Sequence, residues 1–391
     1  MSDWRVPGFT STGSKRPDAL FGSGEDATLP TQMTHAAGAR VWDAQGREYL
    51  DYVMALGAVA LGYGHPVIGE AAADAIAAGV VGPLPPVEEE RLAEQLAGRL
   101  PWLERMRFLK TGAEAVAAAV RIARVATGHE LVLGCGYHGW LDWCQGRTEG
   151  VPQGTRAVFA ELPFNDPERA REMIRYRADR LAAVVIEPVI VAEPTREWLE
   201  TLRTETEQAG AVLVFDEIKT GFRVAVGGAA ERYGVLPDLV VLGKALANGF
   251  PLALVGGRAD LMAAATRTWI SSTLATESVS LAAAAATLAV FEREQVCAHL
   301  HAVGTRLLHG LHRLQRDHAD LLTGVGGIAE MCFLHYANDG VSRAVAVECA
   351  RRGILFKRTA YNFVSLAHDE RMVDRTLETL QDVVAGLAKT G

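Results

Sequence analysis

The run Ala211-Val212-Leu213-Val214-Phe215, closed by Asp216-Glu217, restricts the fold more than any other part of this chain. It is apolar without alternation and of strand length. Such a run is buried on both faces, as a strand is inside a parallel sheet. Acids at its end then lie at the carboxyl edge of the sheet, where open α/β sheets place their binding crevice. Leu239-Val240-Val241-Leu242 repeats the pattern and leads into Gly243-Lys244-Ala245. A lysine at the end of a buried strand is costly unless it is paired, neutral or covalently engaged. Taken singly, each feature also fits a plain role: an acid pair that caps a helix or binds a metal, and a solvated edge lysine.

The rest of the chain alternates in the same sense. Short strands are predicted at 107–109, 131–133 and 182–186, and helices at 68–80, 88–100, 113–127 and 198–209. Leu92, Leu96 and Leu100 recur at helical spacing. Residues 41–51 read as a hairpin around an Asp-Ala-Gln-Gly turn. This strand–helix rhythm predicts a mostly parallel sheet covered by helices on both faces. Helices are also expected at 282–292, 303–315 and 370–388, and residues 326–391 read as a smaller α+β region. The expected division is an arm and part of a small domain at 1–60, a large domain at 61–285 and a C-terminal small domain at 286–391.

Composition excludes several classes of function. A net charge of -8 gives no reason to expect nucleic acid or an anionic membrane as partner. No apolar stretch reaches spanning length, and Met1-Ser2-Asp3-Trp4-Arg5 lacks the apolar region of a signal peptide. Cys135, Cys144, Cys297, Cys332 and Cys349 form no C-x-x-C pair, so neither a disulfide framework nor a structural zinc site is expected, and no metal. A reducing cytoplasm is the expected location. His301, His309 and His312 read as a solvated helix face.

Three further segments bear on chemistry. Thr111-Gly112-Ala113-Glu114-Ala115 joins a strand to an alanine-rich helix. Its backbone N–H groups, the Thr111 hydroxyl and the helix dipole suit an anion such as a phosphate, and Thr111 equally suits an ordinary N-cap. In Gly136-Tyr137-His138-Gly139 the glycines permit a sharp turn. Tyr137 there offers a ring to stack on a flat aromatic group. Ile218 lies two residues beyond Asp216, on the same side of an extended segment, and is placed to cover such a ring from the other face. A lysine nucleophile together with an aspartate for a pyridine nitrogen is the minimum apparatus of pyridoxal 5'-phosphate (PLP) chemistry.

These residues carry a resemblance. Phe215 to Arg223, Gly243-Lys244, Phe250-Pro251-Leu252 with Val255-Gly256-Gly257-Arg258, Tyr137-His138-Gly139 and Phe363 to His368 together resemble the class III aminotransferases of PLP fold type I. Within that family the chain is most similar to the glutamate-1-semialdehyde aminomutase branch, over roughly residues 38 to 388. The resemblance implies an aspartate-aminotransferase-like α/β fold, PLP as cofactor with pyridoxamine 5'-phosphate as its alternate form, and a homodimer with active sites at the subunit interface. It implies a small-molecule amine donor and a carbonyl acceptor, or an intramolecular amino transfer; a non-catalytic scaffold of the same fold is the remaining alternative.

Placed on this sequence, the resemblance implies that Lys244 forms the Schiff base and then shuttles a proton, and that Asp216 keeps the pyridine nitrogen protonated. Tyr137 stacks on the ring with Ile218 opposite. Thr111, Gly112 and Ala113 hold the phosphate, and His138 stands with the cofactor-binding set. Thr273 matches the family position that reaches the phosphate of the neighbouring subunit. Glu187 lies near the phenolic edge of the cofactor and Glu217 supports Asp216, each by direct contact or through other groups.

The chain departs from the family in three places. The phosphate loop usually reads Ser-Gly-Thr-Glu-Ala, so one hydroxyl is missing at Ala113. Such a hydrogen bond is worth roughly 1.5–3 kcal/mol, and weaker cofactor retention is expected. Ala275-Thr276-Glu277-Ser278 stands where the aminomutase branch has Ser-Gly-Asn-Pro, which makes Glu277 a candidate substrate contact. The stretch 189–194 is shorter than usual and suits a bulkier substrate. Near the C-terminus, Lys357 and Arg358 fall in a segment that approaches the substrate in relatives, with Arg358 the candidate for a carboxylate.

Overall fold

The computed structural model describes residues 5–23, 26, 28–144 and 149–389. The first four residues of the expected arm and the last two of the chain lie outside the described residues. The chain divides into two units, Pro66–Cys297 and Met1–His65 with Ala298–Gly391.

The larger unit is built on seven strands: β1 (Arg105–Leu109), β2 (Leu131–Cys135), β3 (Phe159–Glu161), β4 (Leu181–Ile186), β5 (Val212–Asp216), β6 (Leu239–Leu242) and β7 (Ala253–Gly257). Their order in the sheet is β1-β7-β6-β5-β4-β2-β3. All neighbours from β6 to β3 are parallel, and β7 runs antiparallel to both β6 and β1. Every residue of β2, β4, β5, β6 and β7 is buried. That is why these segments hold no charged residue except Asp216, which closes β5.

Among the described residues, the helices of six residues or more in this unit are α1 (Pro66–Ala78), α2 (Val87–Arg99), α3 (Gly112–Thr127), α4 (Pro167–Tyr176), α5 (Arg196–Gln208), α6 (Gly228–Tyr233) and α7 (Ser278–Arg293). Strand parity divides the core into two layers. Ala183, Val185, Val212, Val214 and Val241 pack with α3 residues Val116, Val120 and Ile122 on one face. Val184, Ile186, Leu213 and Phe215 pack with Met173 and Ile174 of α4 and Trp198 and Leu202 of α5 on the other. Asp216 shares parity with Val212 and Val214, so it continues the α3 side of the sheet.

The smaller unit holds a four-stranded sheet in the order Met33–Ala37, Arg40–Asp43, Glu48–Asp51, Ile354–Leu355. A three-stranded sheet follows the order Leu322–Ile328, Met331–Tyr336, Asn362–Phe363. Asp43 fastens the predicted hairpin by accepting the N–H groups of Gln45 and Arg47, each at 2.9 Å, while Gly46 supplies φ 76°. Met54, Ala55 and Leu56 have φ of 44°, 50° and 60° in succession. Left-handed backbone costs about 1–2 kcal/mol per L-residue. Buried Asp51 offsets part of that cost by accepting Val53 N–H at 2.7 Å, Met54 N–H at 3.0 Å and the Tyr63 hydroxyl at 2.7 Å.

One sequence boundary and two strands differ from expectation. The predicted break at 285/286 falls inside α7, an alanine-rich helix that packs along α1 and so stays with the larger unit. The strands β3 and β7 were not among the expected elements. β3 is short and only half-buried, and β7 is rich in glycine, so neither carries the apolar signature of its neighbours.

Candidate active site

β4, β5 and β6 are adjacent, with Ile186 opposite Phe215 and Asp216 opposite Val241. Their carboxyl ends therefore deliver Glu187, Asp216 and Lys244 to one stretch of the sheet edge, with neighbouring strands about 4.8 Å apart. The loop after β2 adds Tyr137 and His138 to the same edge.

Asp216 is fixed on both oxygens. His138 Nδ1 lies 2.8 Å from Oδ2, and the Ile218 N–H donates to Oδ1 at 3.2 Å. Both side chains of the Asp216–His138 pair are buried. An ionised carboxylate only accepts, which places a proton on His138 Nδ1. The imidazole stacks on Trp143, with ring centroids 5.9 Å apart, so its plane is set by packing as well.

Lys244 directly follows Gly243 and adopts φ 48°, a left-handed conformation that L-residues avoid. The side chain keeps a partly exposed surface yet lies deep in the fold. Burial draws its amine down to about 8, an effect that Glu187 and Asp216 oppose and that Lys219 and Arg223 reinforce. A lysine so placed is partly neutral near neutral pH, which makes it a nucleophile.

Glu187 bridges two elements. Its Oε2 accepts the Tyr137 N–H at 3.0 Å, and its Oε1 lies 2.9 Å from Lys219 Nζ. Gly136 sits so close that a Cβ there would fall 2.7 Å from Glu187 Oε2, with φ 107° besides. Lys219 was not singled out from the sequence. The available signal was a second lysine only three residues beyond Asp216 in the same strand-end segment.

Glu217 points into a different set of bonds. It accepts the N–H groups of Ala229 and Ala230 at 2.8 Å each and the Thr220 hydroxyl. Burial raises its carboxyl to about 7 against those hydrogen bonds. It ties the segment after β5 to the start of α6.

The start of α3 is a complete capping box. Thr111 Oγ1 accepts the Glu114 N–H at 3.2 Å, and the Glu114 carboxylate accepts the Thr111 N–H at 2.9 Å. The next two N–H groups, of Gly112 and Ala113, have no intrahelical acceptor. Among the described residues nothing else accepts from them. Gly112 and Gly139 are forced by contact. A Cβ on Gly112 would come 2.3 Å from Ile218 Cδ1, and one on Gly139 would come 2.5 Å from Ala113 Cβ. Thus the Tyr137 loop, the helix start and Ile218 touch one another. Gly112→Ala is expected to push Ile218 aside at a cost of about 1–3 kcal/mol and to weaken anion or cofactor binding at this helix start about tenfold. Equilibrium dialysis with pyridoxal phosphate measures it.

Tyr137 is 70% exposed. Thr273 is exposed on the segment before α7. Glu277 caps α7 through the N–H groups of Val279 and Ser280 and pairs with Lys110 Nζ at 2.7 Å. Burial works against its charge, and Lys110 and Ser280 outweigh that to hold Glu277 below the usual carboxylate range. Arg358 belongs to the smaller unit, where its guanidinium meets the Asp339 carboxylate and Ser342 Oγ.

The donor set fits one kind of group: an aldehyde for the Lys244 amine, a ring nitrogen for Asp216 and a phosphate for the N–H groups of Gly112 and Ala113. Comparison with known proteins agrees. The family model for class-III aminotransferases matches residues 21–384. A glutamate-1-semialdehyde 2,1-aminomutase of Thermomicrobium roseum is 35% identical, with 92% of each chain aligned. Among solved structures, the FumI protein of Sphingopyxis sp. MTA144, determined with PLP, superposes with a TM-score of 0.88 at 27% identity, covering 95% of this chain and 91% of that one. The β-phenylalanine aminotransferase of Variovorax paradoxus gives 0.84 at 27% identity, covering 94% and 91%. The chain belongs to the class-III aminotransferases, PLP-dependent enzymes that move an amino group by transamination or by an aminomutase-type transfer.

Proposed function

We propose that the protein is a homodimeric cytoplasmic aminotransferase that takes an amino group from one small molecule and gives it to the carbonyl of another. The observation that carries this reading is the convergence of Lys244, the Asp216–His138 pair and the unoccupied N–H groups of α3 at one sheet edge. Bound PLP supplies an electron sink for the bond broken at the substrate Cα. Lys244 would take up the proton released at the substrate Cα. Asp216, held by His138, would keep the cofactor's ring nitrogen protonated. Tyr137 and Ile218 would hold the ring, and Gly112 and Ala113, beside Thr111, would hold the phosphate.

A dimer is supported by the surface around the site. Trp140 and Trp269 are 71% and 81% exposed, and Leu274 beside Thr273 is also open. Large apolar side chains gathered near a site call for cover by a partner, and Thr273 would then reach the partner's phosphate. The cytoplasmic assignment is supported by five free cysteines. Among the described residues no helix is long and apolar enough to cross a membrane.

An aminomutase reading is favoured by one observation, the relationship to the Thermomicrobium roseum enzyme. The visible spectrum of the purified protein separates the two. A yellow band that an amine donor bleaches and a keto acid or aldehyde restores is the expected result. Turnover of a single amino-aldehyde with no external acceptor would establish the aminomutase instead.

The pH dependence of cofactor capture follows from Lys244. With its amine at about 8, roughly a tenth of it is neutral at pH 7 and most of it by pH 9. Uptake of pyridoxal phosphate by cofactor-free protein is expected to accelerate about tenfold across that interval and then level off. Stopped-flow absorbance measures the rate.

A further inference from the structure

Glu187 acts electrostatically on the Lys244 amine, the one amine that the reaction needs free. A buried carboxylate beside an amine forms an ion pair unless another cation claims it. Here another cation does: Lys219 Nζ lies 2.9 Å from Glu187 Oε1, and the two side chains are only 8% and 11% exposed. The second oxygen of Glu187 is held by the Tyr137 N–H at 3.0 Å. Close packing at Gly136 leaves the carboxylate little room to turn.

We propose that Lys219 is a positioning residue that clamps Glu187 against the Tyr137 loop and thereby keeps this carboxylate from pairing with the Lys244 amine. The charged groups acting on Lys244 are Glu187 and Asp216, which favour its protonated form, and Lys219 and Arg223, which oppose it. Asp216 is already committed to His138. Glu187 is thus the carboxylate whose behaviour depends on Lys219. Loss of Lys219 removes a positive charge and releases a negative one, and both changes make Lys244 harder to deprotonate.

This inference rests on reading Lys244 as the nucleophile, and its test does not require turnover. The full chain, stripped of cofactor, is treated with formaldehyde and borohydride across a pH series, and methylation of Lys244 is followed by mass spectrometry. Lys219→Met is expected to raise the midpoint of Lys244 labelling by about one pH unit or more, and Glu187→Gln to lower it. The double variant is expected to return close to the starting midpoint, and Lys219→Arg to preserve it. The visible band of cofactor-loaded protein should titrate in the same order.

An unchanged midpoint in Lys219→Met overturns the proposal, as does a double variant that behaves like Lys219→Met. If Lys219→Met fails to fold, Lys219→Gln retains a donor to Glu187 without its charge. It is expected to shift the midpoint upward by less, and no shift there also overturns the proposal. Should the labelling order hold while no donor alters the visible band, the transaminase reading fails and this inference stands. The converse result removes only this inference.

Discussion

Lys244→Ala is expected to lower turnover about a thousandfold or more while leaving a folded protein that still binds pyridoxal phosphate without a covalent bond. The loss is expected to be large because, on the proposed reading, one amine would serve twice, as the attachment point and as the proton carrier at Cα. Retention of the cofactor follows from groups the substitution does not touch: the N–H pair of α3, Asp216 and the stacking faces. The variant is also expected to gain stability when free of cofactor. An unfolded lysine titrates near 10.5, whereas folding draws this one to about 8. A depressed lysine is a cost to folding that is present in full below about pH 8 and fades as pH rises toward 10.5. The gain on removing it therefore reaches at most about 3 kcal/mol below pH 8 and disappears in alkali. Steady-state kinetics with a chosen donor and thermal melts at pH 7 and pH 10 test both halves. Full activity would reassign the nucleophile.

The second large effect is expected at Asp216→Asn, a loss of about a hundredfold or more in kcat. Asparagine keeps the size of the side chain, and its one carbonyl can still accept from His138 Nδ1 or from the Ile218 N–H, which bond to different oxygens of Asp216. It lacks the charge that holds a proton on a pyridine nitrogen. The fold is thus preserved and the electron sink is weakened, so the defect should fall on kcat with KM little altered. Cofactor affinity, measured by dialysis, should fall only modestly, because the phosphate contacts remain. If kcat were unaffected, the ring nitrogen would have to be served by another group. His138, whose buried Nε2 has no partner among the described residues, would then be the first to test.

The sites of both variants were legible in the sequence because each ends an apolar run. Burial on both faces leaves a local mark, an unbroken series of Val, Leu and Phe, and a charged residue that closes it stands out. The Thr111 cap was legible for a similar reason, since a capping box is a contact between residues three apart. Hydrophobic patterning also indicated the parallel sheet with helices on both faces and the alternation from 105 to 242.

Partners distant in sequence were decided by the tertiary structure. That Glu187 takes Lys219, that His138 takes Asp216 and that Glu277 takes Lys110 depends on strand order and on which loops meet at one edge. None of that is encoded in the local spacing of charges. The insertion of β7 between β1 and β6, and the attachment of α7 to the larger unit, are likewise long-range outcomes. The left-handed turn at Met54–Gly57 had no glycine signal over its first three residues, because the strain there is supported by Asp51 and Tyr63. By itself the sequence determined the sheet, its buried strands and the two ionisable groups at their ends, since burial writes itself into consecutive residues. The pairing of charges around the Lys244 amine was settled only in three dimensions, where distance through space replaces distance along the chain.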